Sequence, residues 1–222
     1  MRNSGVMIAA AGLWVSFAAA QTSIATKPVT GKPLSAAEER RTIQILADGT
    51  RIENTDTGKF YRDDEGRTRI QRKDGSAVIH DPMRAVPDQV TPNGDVLHNL
   101  PARYDGPPPP PAEQGNVAEQ RNAPGSAATP DVVEEDLGAS LVNGVTARGS
   151  RTTTIVPPGQ IGNDRPIRIV SERWYSTDLQ ITIKSIDTDP RYGETTWQLT
   201  DIHTGPQDSA LFRHPTPGHP AR

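Results

Sequence analysis

The chain has 222 residues, of which 33% are hydrophobic and 5% aromatic, with 21 prolines, 19 glycines and no cysteine. The lack of cysteine excludes disulfide scaffolds, cysteine-ligated metal centres, thiol catalysis and a disulfide-linked partner. The 24 lysines and arginines nearly balance the 27 aspartates and glutamates, so the net charge is −3 and no overall attraction to nucleic acid or to an anionic membrane is expected.

Residues 1–20 predict a secretory signal peptide. Arg2 precedes an uncharged, largely apolar run that ends in Ala18-Ala19-Ala20, which is the order of charge, apolar stretch and small residues at a signal cleavage site. A membrane anchor is the alternative, but the run over 6–20 is shorter than the roughly 20 residues needed to span a bilayer. We therefore expect an exported mature chain, periplasmic or extracellular, with no membrane span.

The mature chain divides by its content of large apolar residues. Two segments, 42–100 and 131–212, are rich in them and are expected to be the two parts of a β domain. The segments 21–41, 101–130 and 213–222 are too poor to offset their chain entropy by apolar burial. We expect a flexible N-terminal segment, a disordered proline-rich spacer and a disordered tail. The five prolines 107–111 favour a stiff polyproline II spacer, with a docking ligand as the alternative.

Turn dipeptides divide the rich segments into short strands. Asp48-Gly49, Asp74-Gly75, Asn93-Gly94 and Asn143-Gly144 each lie between apolar or β-branched runs and suit two-residue hairpin turns. The predicted strands are 42–46, 50–54, 59–62, 67–73, 77–80, 89–91 and 96–98, then 139–142, 145–156, 167–175, 179–186 and 194–203. Regular short strands of this kind predict a mainly β, antiparallel meander.

Helix signals are few. Ser35-Ala36-Ala37-Glu38 has the pattern of a capping box and predicts one or two helical turns at most before the β-branched Thr42-Ile43. In the segment from 179, Leu179, Ile181 and Ile183 alternate with polar residues, which indicates a strand with one buried face.

No catalytic or metal-binding set emerges from the residues. Gly138-Ala139-Ser140-Leu141 lacks the closing glycine of a nucleophile elbow, and the histidines lack metal-ligand spacing on a helix. We therefore expect no enzyme activity, no cofactor and no metal. A carboxylate-based hydrolase remains the least favoured alternative, because the separation of two carboxylates is set by the fold.

Four residues are candidates for binding. Trp174 and Trp197 lie on strands that are close in sequence order, so the two rings either flank a pocket or fill the core. Arg67 and Arg69 belong to the densest basic stretch and would attract an anionic partner. The alternative for them is charge on an edge strand, which guards a sheet against aggregation.

Several blocks resemble an uncharacterised family of exported bacterial proteins. These are Gly159-Gln160-Ile161-Gly162-Asn163-Asp164-Arg165-Pro166 and Val170-Ser171-Glu172-Arg173-Trp174-Tyr175-Ser176, with upstream Leu46-Ala47-Asp48-Gly49-Thr50 and His80-Asp81-Pro82. The course of Leu137-Gly138, Gly144-Val145, Trp174 and Leu211-Phe212 is more distantly similar to the envelope lipoprotein-carrier superfamily. That resemblance implies a curved antiparallel sheet or half-barrel. The long helix of that superfamily is missing here, so the resemblance carries over the sheet and not the ligand.

These observations predict an exported, non-enzymatic β-sheet protein that binds an envelope protein or an amphiphile. The alternative is a structural or surface-assembly protein of the cell envelope, in which the proline segment separates two sheet regions. The sequence leaves open whether the two β segments form one sheet or two, and whether the sheet encloses a cavity.

Overall fold

The computed structural model describes residues 28–84, 87–97, 107–108 and 130–213. The predicted signal peptide, most of the spacer and the tail beyond residue 213 lie outside this part of the chain. The strands of the described part are β1 Leu34–Ile45, β2 Arg51–Arg62, β3 Thr68–Arg72, β4 Ala77–His80, β5 Asp88–Val90, β6 Val96–Leu97, β7 Asp131–Val142, β8 Val145–Val156, β9 Ile167–Ser176, β10 Ile181–Asp189 and β11 Gly193–Thr204. A short 3-10 helix, Ser209–Phe212, follows β11. Within these residues, no helix has the length and apolar character to cross a membrane.

The strands form one antiparallel sheet in the order β6-β5-β4-β3-β2-β1-β11-β10-β9-β8-β7. We call β1–β6 the N-terminal wing and β7–β11 the C-terminal wing. Each wing is a meander, and the two join where β1 pairs with β11. The predicted mainly β, antiparallel fold with little helix is confirmed, and the two rich segments of the sequence share a single sheet.

The predicted helical turns at Ser35–Glu38 are wrong, because these residues belong to β1. Leu34, Ala36 and Glu38 are buried on one face of the strand, and the residues between them are only partly buried. Strand β1 is paired on both sides, by β2 and β11, so sheet pairing overrides the local capping signal. Residues 34–41, which the sequence places in a flexible segment, therefore lie at the centre of the sheet.

The turn dipeptides lie at hairpin turns, but only one turn has two residues. Asn143-Gly144 joins the paired residues Val142 and Val145, and both turn residues have positive φ, 49° and 83°. The turn at Asp48-Gly49 is longer: the Leu46 amide donates to the Thr50 carbonyl oxygen, and the Gly49 amide donates back to the Leu46 carbonyl oxygen. Asp74-Gly75 and Asn93-Gly94 repeat that pattern, so the two-residue prediction is wrong for these three turns.

Two long-range hydrogen-bond groups show that the sheet is curved. The guanidinium of Arg62, on β2, donates to the carbonyl oxygens of Leu179 (2.6 Å) and Gln180 (3.3 Å) in the β9–β10 turn. The side-chain amide of Asn143, in the β7–β8 turn, donates to the carbonyl oxygen of Leu199 on β11 at 2.8 Å. Each contact joins elements that are separated by at least two strands in the sheet order, so the sheet curls upon itself at this end.

The curled end holds the main core. Its buried members come from both wings: Leu34, Ala36, Phe60, Ile70, Ala147, Ile181, Ile183, Trp197 and Leu199. Val142 and Val145, which flank the β7–β8 turn, pack against this cluster. The apolar part of the concave face, by which we mean the face that carries this cluster, is therefore filled by the protein's own side chains.

A second, smaller cluster lies on the opposite face of the N-terminal wing. It consists of Ala77, Ile79 and Val90. Ile70 of the main core pairs with Val78, and residues paired across two strands lie on the same face. Ile79 follows Val78 in β4, so its side chain, and with it the small cluster, lies on the opposite face. The 3-10 helix packs near β3, where Arg69 donates to the Leu211 carbonyl oxygen at 3.1 Å.

Candidate functional site

The concave face changes from apolar to charged along β1. Because strand side chains alternate between faces, Leu34, Ala36, Glu38, Arg40 and Thr42 share one face. The first two residues belong to the main core, and the next two carry charge. The concave face therefore has a filled apolar end and a charged end.

A cavity of about 340 Å³ lies at the charged end. We call it the charged notch. Its lining comes from four adjacent strands, β3, β2, β1 and β11: Glu38, Arg40, Thr42, Asp56, Thr57, Gly58, Arg72 and Thr195. A volume of this size falls at the lower end of the range for small-ligand sites.

The notch forms where β3 ends. Arg72, the last residue of β3, pairs with Gly58 in the middle of β2, while β2 continues to Arg51. A Cβ atom at Gly58 would lie 2.7 Å from the Gln71 carbonyl oxygen, so only glycine permits this close approach of the two strands. The step between a short strand and a long one opens the sheet beside the notch.

Glu38 forms the buried part of the lining. Glu38 is only 8% exposed, and its Oε1 accepts a hydrogen bond of 2.6 Å from the indole Nε1 of Trp197. A buried carboxyl group needs a hydrogen-bond partner, and this short contact fixes the Glu38 side chain on the sheet. Trp197 thereby links the core to the notch.

The lining carries charges of both signs. Arg40 and Arg72 contribute two positive charges, and Glu38 and Asp56 contribute two negative ones. Asp56 lies directly opposite Arg40 in the β1–β2 pairing. With the hydroxyls of Thr42 and Thr195 on the same face, the notch is suited to forming ion pairs and hydrogen bonds with a ligand that has both donors and acceptors.

Of the predicted binding residues, Trp197 lies in the core beside the notch. It is 2% exposed and belongs to the main cluster, so its ring face packs inside the protein while its N–H serves Glu38. The two tryptophans are one strand apart, since Trp197 pairs with Ser185 and Trp174 with Lys184 on the intervening β10.

Trp174 is anchored separately. Its indole Nε1 donates to Glu172 Oε1 at 2.8 Å, and the ring lies over Gly149 of β8, where an added Cβ would meet ring atoms at 2.8 Å. Trp174 also packs against the main core as a partly buried residue. The two indoles are thus held by different glutamates, and neither lines the charged notch.

Arg67 and Arg69 lie around β3, away from the notch lining. Arg67 pairs with Asp63 at 2.6 Å and stands over the Phe212 ring at 5.6 Å. Arg69 is partly buried, and burial lowers the pKa of its guanidinium. Both arginines therefore help to hold the 3-10 helix and the β2–β3 turn. A ligand contact for any of the four predicted residues stays a prediction.

Glu38, Arg40, Asp56 and Arg72 were not predicted from the sequence to form one site. The first two belong to the segment in which the sequence predicts one or two helical turns. The alternation of Leu34, Ala36 and Glu38 is a strand signal that would have placed Glu38 on the buried face. Bringing Arg72 and Asp56 to the same place required the β2–β3 register, which the sequence does not give.

No protein-family model and no curated protein sequence matches the chain. Solved structures with a similar fold include MucB in complex with MucA(peri), with a TM-score of 0.43 and 17% identity, covering 81% of this chain and 53% of that chain. The chain thus spans about half the length of that protein. A LolA superfamily protein from Nitrosomonas europaea has a TM-score of 0.38 and 11% identity, covering 82% of this chain and 90% of that chain.

A DUF1329 family protein from Desulfovibrio piger is also similar, with a TM-score of 0.31 and 12% identity, covering 83% of this chain and 91% of that chain. The LolA superfamily named among these neighbours is the envelope lipoprotein-carrier superfamily that the sequence distantly resembles. Similarity at this level concerns the course of the sheet and not the ligand.

Proposed function

We propose that this chain is an exported, non-enzymatic binding protein of the cell envelope, and that it holds its partner at the charged notch. The observation that carries this proposal is the notch itself, which gathers four charged side chains from three strands on the concave face. The predicted signal peptide at residues 1–20 supports a periplasmic or extracellular location.

The filled core favours a polar partner over an acyl chain. A carrier of acyl chains needs apolar surface that is open to the ligand, whereas the apolar side chains of the main core pack against one another. The lining of the notch, by contrast, is polar and charged. We therefore favour an envelope protein as the partner, and an amphiphile is the less favoured ligand.

Site-specific photocrosslinking in the source cells tests this proposal. A photoreactive residue at Thr42, in the notch lining and on the concave face, is expected to capture a discrete partner from the envelope fraction. The same residue at Thr146, which is exposed on β8, serves as the control and is expected to capture none. Equal capture at both positions, or none at Thr42, would contradict the notch as the binding site. Mass spectrometry of the exported chain checks cleavage after residue 20.

A second candidate, homotypic assembly at a surface, is favoured by one observation. Among the described strands, β7 is an outermost one of twelve residues, and its Val132 and Val133 are 54% and 53% exposed. A long edge strand with exposed apolar residues is a template for pairing with another chain. Sedimentation analysis is expected to show assembly that Val133→Lys abolishes, and a monomer at high concentration would exclude this candidate.

A further inference from the structure

We infer that the charged notch takes an extended polypeptide, which adds as a strand to the open edge of β2 and carries a basic, a polar and an apolar residue at alternate positions. This inference rests on the proposed function and specifies the chemistry of the partner. It is carried by the step in the sheet, by the side chains along the step and by their charges.

The open edge is residues 51–57 of β2. On one side these residues pair with β1 along their whole length, up to Ile45 opposite Arg51. On the other side, β3 pairs with β2 only from Gly58 to Arg62. Within the described part of the chain, residues 51–57 thus have no strand beyond them. An exposed sheet edge offers backbone donors and acceptors to an extended peptide, which is a common mode of peptide recognition.

A strand added here would continue the line of β3. Strand β3 is antiparallel to β2 and leaves the sheet after Arg72, through the turn in which the Arg72 amide donates to the Ser76 carbonyl oxygen. A peptide in the same direction would pass Asp56 first, then Asn54, then Ile52. The open edge has a length of roughly 23 Å at about 3.3 Å per residue, which is enough for a strand of ordinary length.

The side chains that such a peptide meets on the concave face are Asp56, Asn54 and Ile52. All three are exposed. Cross-strand neighbours on one face are the main source of selectivity in strand pairing, and opposite charges are favoured there. A basic residue is therefore expected opposite Asp56, a polar residue opposite Asn54 and an apolar residue opposite Ile52.

On the other face of the open edge, the one carboxylate is already engaged in ion pairs. Glu53 forms ion pairs with both Arg41 and Arg51. Selectivity is therefore expected from the concave face, next to the notch.

The test uses the full mature chain and a blocked peptide, acetyl-Ser-Lys-Ser-Thr-Ser-Val-Ser-amide, titrated by NMR. Saturable shifts of the amides of residues 51–57 are expected, with slower hydrogen exchange there. Replacing the peptide lysine by glutamate is expected to weaken binding about fivefold, since one favourable cross-strand pair becomes a repulsive one. The protein variant Asp56→Lys should reverse this preference, an effect that a merely structural role of Asp56 would not produce.

A peptide with the same side chains and N-methylated backbone amides separates strand addition from simple charge attraction. It should not bind, because it cannot donate backbone hydrogen bonds. Equal binding of the methylated peptide, shifts confined to other residues, or no saturable binding at millimolar peptide would overturn the inference. Self-association through residues 51–57 without peptide would overturn it too, since the occupant would then be a second copy. Crosslinking at Thr42 that persists in those cases would leave the proposed function standing.

Discussion

The two wings of the sheet differ in the lengths of their strands. In the C-terminal wing the five strands have 9 to 12 residues, so each is covered along most of its length by its neighbours. In the N-terminal wing, β1 and β2 have 12 residues each, and the next four strands shorten to 5, 4, 3 and 2. The C-terminal wing, with strands of similar length, supplies much of the core. In the N-terminal wing, β3 is much shorter than β2, and the charged notch and the open edge of β2 lie where β3 ends.

The two wings are also expected to differ in their stability against local unfolding. Both wings contribute to the main core, but the outer N-terminal wing has a cluster of only three residues on its other face. Regions with few buried apolar contacts open locally at lower free energy than the rest of a domain. We therefore expect the joint between the wings to govern global unfolding and the outer strands β4–β6 to open first.

The largest effect is expected from Trp197→Ala at the joint. The change removes a fully buried indole and the hydrogen-bond donor to Glu38, and it should lower the free energy of unfolding by about 3 to 5 kcal/mol. Urea unfolding followed by circular dichroism measures the change and should remain a single transition for both wings. Trp174→Ala, at a partly buried indole, is the matched control and should cost less. Two separate transitions would contradict a shared core.

Arg62→Met is expected to have the next largest effect. Arg62 donates to the carbonyl oxygens of Lys32, Leu179 and Gln180, and burial lowers the pKa of its guanidinium to about 10. Removing the buried charge offsets part of the cost of the unpaired carbonyl groups, so we expect a net loss of about 2 kcal/mol.

Hydrogen exchange locates the effect of Arg62→Met. Exchange should accelerate in the β9–β10 turn around Leu179, although that turn belongs to the other wing. Arg69→Met is the matched control, because Arg69 donates instead to the Leu211 carbonyl oxygen of the 3-10 helix. Faster exchange near Leu179 in both variants would show that the curl of the sheet does not depend on Arg62.

Ile79→Ala and Ile183→Ala separate local from global stability. Both isoleucines are fully buried, one in the small cluster of the N-terminal wing and one in the main core. Ile79→Ala should speed amide exchange in β4 and β5 and leave β10 and β11 nearly unchanged. Ile183→Ala should lower global stability by about 2 to 5 kcal/mol. Equal global losses would mean that the outer strands unfold together with the core.

The smallest effect on stability is expected from lowering the pH. Hydrogen bonds from Thr50 lower the pKa of Asp48, and hydrogen bonds from Ser76 lower the pKa of Asp74. A lowered pKa in the folded state contributes stability above the unfolded value and loses it as pH falls, here below about pH 4. Asp48→Asn and Asp74→Asn should each reduce the dependence of the melting temperature on pH between about 4 and 2. An unchanged dependence in the double variant would contradict this assignment.

Much of the fold could be predicted because it depends on local patterns. Turn dipeptides such as Asn143-Gly144 need positive φ, and alternation such as that of Leu179, Ile181 and Ile183 needs one buried face, so both identify strands without knowledge of the partner. The prediction failed at Ser35–Glu38, where the local signal favoured a helix. Pairing on both sides of β1 decided that segment, and the pairing partners are distant in sequence.

The candidate site was less predictable than the fold. Trp197 was identified from its type and strand, but its role in holding Glu38 depends on two residues 159 positions apart. The open edge of β2 depends on where β3 stops, which is a property of the register and not of β2 itself.

By itself, the sequence determined the class of structure: an antiparallel meander without disulfides, with its apolar residues gathered in two segments and an export signal expected at its start. These features follow from side-chain type and spacing along the chain. Only the tertiary structure decided that the two segments form one sheet through β1 and β11, that this sheet curls to fill its own apolar face, and that its charged residues meet at a step. Those outcomes depend on long-range pairing, in which the choice of partner strand and its register place residues that no local pattern connects.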